Sequence, residues 1–154
     1  MGIIDGNAGP APSKVPRYVA LSLVAVLSIG TILYLALRYR AEKATANVFL
    51  NQVVAGDLQS AYRTWKASSG YTFEDFTGDW GAKGQYGPVK SFKIYSASRR
   101  ANASGVVVTV VVSPYAPFPE SNDPKSRDNK VVPLWIESSD QSMSFAPEQL
   151  IVPR

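Results

Sequence analysis

Glu74, Asp75 and Asp79 form the tightest acidic group in the chain, and several tyrosines lie near them in the sequence. A carboxylate in a pocket can act as a general base, and a neighbouring phenol can stabilise developing charge. The candidate phenols are Tyr62, Tyr71 and Tyr86. The structural alternative places Glu74 and Asp75 in the first turn of a short helix, where acidic groups suit the helix dipole, and Asp79 on a loop. We expect no catalytic residue, and an enzyme using Asp75 or Asp79 is the third hypothesis for function.

The composition excludes several other classes of chemistry. The chain of 154 residues has neither cysteine nor histidine, which excludes thiol catalysis, disulfides and zinc sites of the usual Cys/His type. The commonest general base is missing as well. We therefore expect no metal and no cofactor.

The net charge of +4 does not indicate a nucleic-acid partner. Most of the excess of Lys and Arg lies before residue 44, and the remainder of the chain is almost balanced. Binding to nucleic acid needs a concentrated basic surface. We therefore exclude nucleic acid as a partner.

Residues 18–37 form an apolar run without a charged residue, Asn, Gln or Pro. At about 1.5 Å per residue, a helix of this length would span the ~30 Å hydrocarbon core of a bilayer. The run is longer than the apolar core of a cleaved signal peptide. We predict an extended tail over 1–17 and a single transmembrane helix over 18–37, able to continue to about residue 54, with the lipid bilayer as a partner.

The two ends of this run carry residue types that anchor helices at a membrane surface. The predicted anchor residues are Tyr18, Leu37, Lys14, Arg17, Arg38 and Arg40. Long basic side chains reach lipid headgroups, and tyrosines favour the interface. Because the basic residues balance across the run, the positive-inside rule does not decide the orientation. We expect the following domain on the outer (periplasmic or extracytoplasmic) face, the usual layout of an N-terminally anchored domain.

Two groups of residues are candidates for contacts with a protein partner. Ser28, Gly30 and Thr31 are small and could let another helix approach closely, although no G-x-x-x-G occurs within 18–37. Tyr115 and Phe118 lie among prolines in the segment 113–130, a composition that suits protein recognition. The alternatives are a lipid-facing helix with incidental small residues and a plain hairpin tip.

Residues 42–154 predict a small domain that begins with helices. Apolar residues at helical spacing predict helices ending near Val54 and Trp65, and a short third helix over 71–80. Asp57 and Thr72 are the predicted N-caps. We expect the aromatic residues of this part to pack a core rather than line a ligand site. They are Trp65, Tyr71, Phe73, Phe76 and Trp80.

The second half of the domain predicts strands. Alternation and β-branched runs place them at 91–98, 106–112 and 131–138, with short closing segments at 142–145 and 150–152. A long Pro-rich loop at 113–130 separates the second strand from the third. The predicted fold class is therefore α+β, with two to three helices packed on a bent antiparallel sheet of about four strands.

The order of these elements resembles the nuclear transport factor 2-like superfamily, whose cystatin-like cone places helices over a strongly bent sheet. The resemblance covers roughly residues 42–146. It is carried by Phe49-Leu50, Ala55-Gly56-Asp57-Leu58, Ala61-Tyr62, Phe73, Phe76 and Gly87-Pro88-Val89-Lys90-Ser91-Phe92-Lys93-Ile94. It implies a pocket between helices and sheet, which members use for catalysis, ligand binding or subunit contact; isomerases among them pair Asp with Tyr. The fold alone does not fix the function.

The first hypothesis for function is a non-catalytic, single-pass accessory, assembly or stabilising subunit of a larger membrane complex. Other membrane protein subunits would be its partners. The second hypothesis is a membrane-tethered domain that binds a small apolar ligand inside the cone.

Overall fold

The computed structural model describes residues 15–147, apart from the side chains at positions 15–17, 35 and 36. Two compact units divide the chain between Arg38 and Tyr39. The first contains helix α1, Val15–Leu37. The second contains the remaining elements and is α+β.

Three helices and four strands make up the second unit within the described residues. The helices are α2 (Arg40–Val54), α3 (Leu58–Trp65) and α4 (Phe73–Trp80). The strands are β1 (Ser91–Ser98), β2 (Gly105–Ser113), β3 (Lys130–Glu137) and β4 (Met143–Phe145). The sheet is an antiparallel meander in the order β1-β2-β3-β4. A short 3-10 helix, Pro124–Asp128, lies in the connection between β2 and β3.

The prediction of a transmembrane helix is wrong. None of the helices in the described part of the chain combines the length with the apolar composition that crossing a membrane requires. The predictions of a single-pass membrane protein and of a domain on its outer face are wrong with it.

The residues predicted to anchor a membrane helix are placed as follows in the structure. Lys14 lies outside the described residues, and so does the side chain of Arg17. Tyr18 and Leu37 are exposed on α1. The Arg38 guanidinium lies 6.0 Å from the centre of the Tyr34 ring. Arg40 is exposed at the start of α2.

Local sequence explains where the helices of the second unit begin and end. Gly56 follows α2 in a left-handed conformation, φ 77°, which glycine adopts at little cost. The Asp57 carboxylate then accepts a hydrogen bond from the Ser60 N–H at 3.0 Å and caps α3. At α4, Thr72 and Asp75 form a reciprocal capping box.

The core lies between the helices and one face of the sheet. Alternate residues of β2 point to this face and are almost completely buried: Val106, Val108, Val110 and Val112. Helix α2 contacts the first three strands, and α3 contacts β4. Phe49 on α2 lies at the centre, with its ring 5.1 Å from Trp65 and 5.0 Å from Trp80.

Replacing Phe49 with Ala should lower the free energy of unfolding by about 3–5 kcal/mol, because a completely buried ring is lost and its cavity cannot refill. Urea unfolding followed by the fluorescence of Trp65 and Trp80 measures this change. Val131 is 62 % exposed, so Val131→Ala should cost less than about 1 kcal/mol. Equal losses for the two variants would contradict the placement of the core.

Candidate functional site

The candidate carboxylates lie on α4, where one oxygen of Asp75 and one of Asp79 accept hydrogen bonds. One oxygen of Asp75 accepts hydrogen bonds from the Thr72 N–H at 2.8 Å and the Thr72 hydroxyl at 2.7 Å. These bonds hold the pKa of Asp75 below its usual value. Asp79 accepts a hydrogen bond from the Tyr71 hydroxyl at 2.6 Å. The structure therefore places Asp75 in a helix cap and Asp79 in a pair with Tyr71.

Tyr71 is held in its protonated form. Burial raises the pKa of its phenol well above the ordinary value, and the hydrogen bond to Asp79 and the negative charge of that carboxylate raise it further. The pKa of Tyr86 is also raised, first by burial and then by Asp79. One carboxylate, Asp79, therefore lies near two protonated phenols, those of Tyr71 and Tyr86.

The chemical capacity of this pair is limited by its surroundings. The depression beside it is wide and open, and its lining residues are Gly70, Tyr71, Glu74, Asp75, Gly78 and Asp79. A base works best where water is excluded and a substrate is held close. Within residues 15–147, no three acidic side chains come together as candidate ligands of a metal ion. The pair is therefore best described as a link between the loop before α4 and the end of that helix.

Aromatic rings fill the space between the helices and the sheet. Phe145 on β4 lies 5.2 Å from Trp65 and 5.3 Å from Tyr86. Trp65 and Phe76 lie 5.9 Å apart, and Trp80 packs on Tyr86 at 5.2 Å. The rings occupy the interior where the resemblance to the cone superfamily implies a pocket.

The surface of α1 is apolar along its described length. The large apolar side chains from Tyr18 to Tyr34 are 56 to 67 % exposed. Ser28 and Thr31 donate their hydroxyls to the carbonyls of Val24 and Leu27, both at 2.8 Å. A Cβ added at Gly30 would meet nothing within 4 Å. The hydroxyls of Ser28 and Thr31 are thus satisfied within the helix, and the small residues lie on an open surface.

The Pro-rich connection between β2 and β3 folds onto itself and onto β1. The Tyr115 hydroxyl donates to the Asp128 carboxylate at 2.7 Å, which raises the pKa of Tyr115. The Lys125 ammonium lies 5.4 Å from the centre of the Tyr115 ring. The Lys93 ammonium lies 4.6 Å from the centre of the Phe118 ring. Both predicted contact aromatics therefore have partners within the domain.

Sequence reasoning missed a groove beside β4, at the edge that has no neighbouring strand within residues 15–147. Its volume is about 680 Å³. It is lined by Trp65, Lys66, Ser68, Tyr71, Trp135, Glu137, Asp140, Ser142, Met143, Ser144 and Phe145. The Lys66 ammonium reaches across to the Asp140 carbonyl, 74 positions later. The only local indication was the short closing segment predicted at 142–145.

Comparison with models of protein families, with curated proteins and with solved structures found no match. The resemblance to the nuclear transport factor 2-like superfamily therefore stays a prediction, and the fold is described as α+β.

The Tyr71–Asp79 pair predicts a loss of stability at alkaline pH. In the unfolded chain the pKa of Tyr71 is near the ordinary value of about 10. At a pH above that value the unfolded chain has lost the Tyr71 proton, whereas the folded chain still holds it because its pKa is raised. The contribution of Tyr71 to stability is complete below that value and declines as the pH rises above it. Urea unfolding across this range should show a steeper decline for the native protein than for Tyr71→Phe. Parallel declines would contradict the assignment.

Proposed function

We propose that this protein is a non-catalytic accessory subunit of a larger protein assembly. Helix α1 is its attachment to that assembly, and the domain from Tyr39 to Pro147 makes further protein contacts.

The observation that carries this proposal is the apolar surface of α1. Its described side chains from Tyr18 to Tyr34 are exposed and include no charged residue. A helix that is apolar on all sides is stable only where something covers it. Ser28 and Thr31 donate their hydroxyls to carbonyls of their own helix, so these two groups do not require water. A protein surface that surrounds α1 meets this requirement.

The arrangement of the domain supports binding rather than catalysis. The space under the sheet holds Phe49, Trp65 and Trp80 with ring centres 5.0 to 6.0 Å apart. Asp75 is engaged in a helix cap and Asp79 in a bond to Tyr71. These contacts give less support to a ligand site inside the cone or to an enzyme that uses either carboxylate.

Purification of the tagged chain from its native cells tests the proposal. The chain should elute with one or more other proteins in fixed stoichiometry, at a mass well above 16.7 kDa. Leu23→Ser combined with Leu27→Ser should reduce recovery of those proteins at least tenfold, because it interrupts the apolar surface of α1. Quantitative mass spectrometry of the eluate measures both values.

The matched control is Tyr95→Ser combined with Val131→Ser, which changes two apolar side chains that are 80 % and 62 % exposed on the domain. Full recovery of the partners is expected for this variant. A monomer, a pure homo-oligomer, or recovery with lipid alone would contradict the proposal. So would equal losses in the two double variants.

A further inference from the structure

The backbone of β4 is paired on one side within the described residues, and the pairing pattern defines which groups remain. The Glu137 N–H donates to the Ser142 carbonyl at 2.9 Å. The Ala146 N–H donates to the Pro133 carbonyl at 2.9 Å. In an antiparallel pair every second residue faces the neighbouring strand. The even-numbered residues from 142 to 146 therefore face β3.

The intervening residues present their backbone groups to the groove. Ser144 lies opposite Trp135 in β3, so the N–H and C=O groups of Met143 and Phe145 point away from that strand. Both residues line the groove. An edge of this kind can accept one more strand through main-chain hydrogen bonds.

Side chains border this edge on both faces of the sheet. Trp65 and Tyr71 lie on the helix side, where the Phe145 ring is 5.2 Å from Trp65 and 6.4 Å from Tyr71. Trp135 lies on the opposite side, beside Ser144. Side chains of an added strand would alternate between these two faces. Residues opposite Met143 and Phe145 would meet the helix-side aromatics, and the residue between them would meet Trp135.

The charge of the groove is concentrated at the end formed by the β3–β4 turn. Glu137 and Asp140 provide two carboxylates there, against one ammonium from Lys66. Lys66 is bonded to the Asp140 carbonyl, while Glu137 accepts a bond from the Ser104 hydroxyl at 2.8 Å. The C-terminal end of an antiparallel strand would arrive at this turn. A basic residue at that end complements the excess negative charge.

We infer that the groove beside β4 binds an extended segment of a partner protein, which adds to the sheet as an antiparallel fifth strand. The segment has apolar side chains at alternate positions and a Lys or Arg after them. This inference rests on one part of the proposed function, namely that the domain binds protein. It does not depend on the proposed role of α1.

Titration of the isotope-labelled 154-residue chain with a synthetic peptide tests this inference. The peptide has about seven residues, a common strand length; Val and Thr alternate in it, an Arg follows, and both ends are capped. Binding should shift the amide resonances of Met143 and Phe145 and slow their hydrogen exchange at least tenfold. The same peptide, N-methylated at the two residues that face β4, should bind at least tenfold more weakly, since it lacks those hydrogen bonds.

Charge variants of the chain test the orientation of the bound segment. Glu137→Gln combined with Asp140→Asn keeps the side-chain acceptors and removes both charges, and it should weaken binding about threefold to tenfold. A peptide with Gln in place of Arg should bind both proteins equally. The matched control is Glu74→Gln combined with Glu120→Gln, two exposed carboxylates outside the groove, which should bind the Arg peptide as the native chain does.

Three outcomes would overturn the inference. The first is binding that leaves Met143 and Phe145 unshifted. The second is equal binding of the N-methylated peptide, because recognition would then not involve the strand edge. The third is binding seen only after deletion of residues 148–154, because the chain's own C-terminal segment would then be the occupant. None of these outcomes would change the expected loss of partner proteins when α1 is mutated. The peptide titration and the purification experiment can therefore fail independently of each other.

Discussion

The packing of aromatic rings around Trp65 is the interaction on which the rest of the domain depends. Phe49 on α2, Phe76 on α4 and Phe145 on β4 each lie within 5.9 Å of Trp65, measured between ring centres. Edge-to-face and tilted pairs of this kind add to the free energy gained from burial. A strand of three residues, such as β4, has few main-chain bonds of its own. The contact of Phe145 with Trp65 therefore fixes β4 and, with it, the groove at the edge of the sheet.

This packing also bears on function, because it fills the interior of the domain with side chains. Large rings occupy the space under the sheet, and the carboxylates of Asp75 and Asp79 are hydrogen-bonded to Thr72 and Tyr71. The exposed features are then the apolar side chains of α1 and the edge of β4. We propose that an enclosing apolar protein surface covers the first and that an extended segment of a partner pairs with the second.

Much of the domain could be predicted because its elements are determined locally. The strand predicted at 131–138 is observed as Lys130–Glu137, since alternation and β-branched residues are local properties. Asp57 and Thr72 cap their helices as predicted, because capping depends on residues within three positions. The predicted aromatic core also forms, with Trp65, Phe76 and Trp80 buried.

The sequence predictions that were wrong, and the features that they missed, depend on more than the local sequence. The apolar run at 18–37 predicts a membrane span, but no helix in the described part of the chain is both long and apolar enough to cross a membrane. The groove beside β4 brings Lys66 to Asp140 through a register that no local pattern specifies. The Tyr71–Asp79 bond depends on how the loop before α4 turns back. Each of these needs the three-dimensional arrangement.

Photo-cross-linking in living native cells tests the central claim, that a protein encloses α1. A photoreactive amino acid would replace Leu27 in one version of the chain and Lys83, an exposed residue of the domain, in another. We expect position 27 to form one dominant adduct of defined mass with another protein, and position 83 not to form this adduct. The absence of any protein adduct at position 27, or adducts with lipid alone, would contradict it.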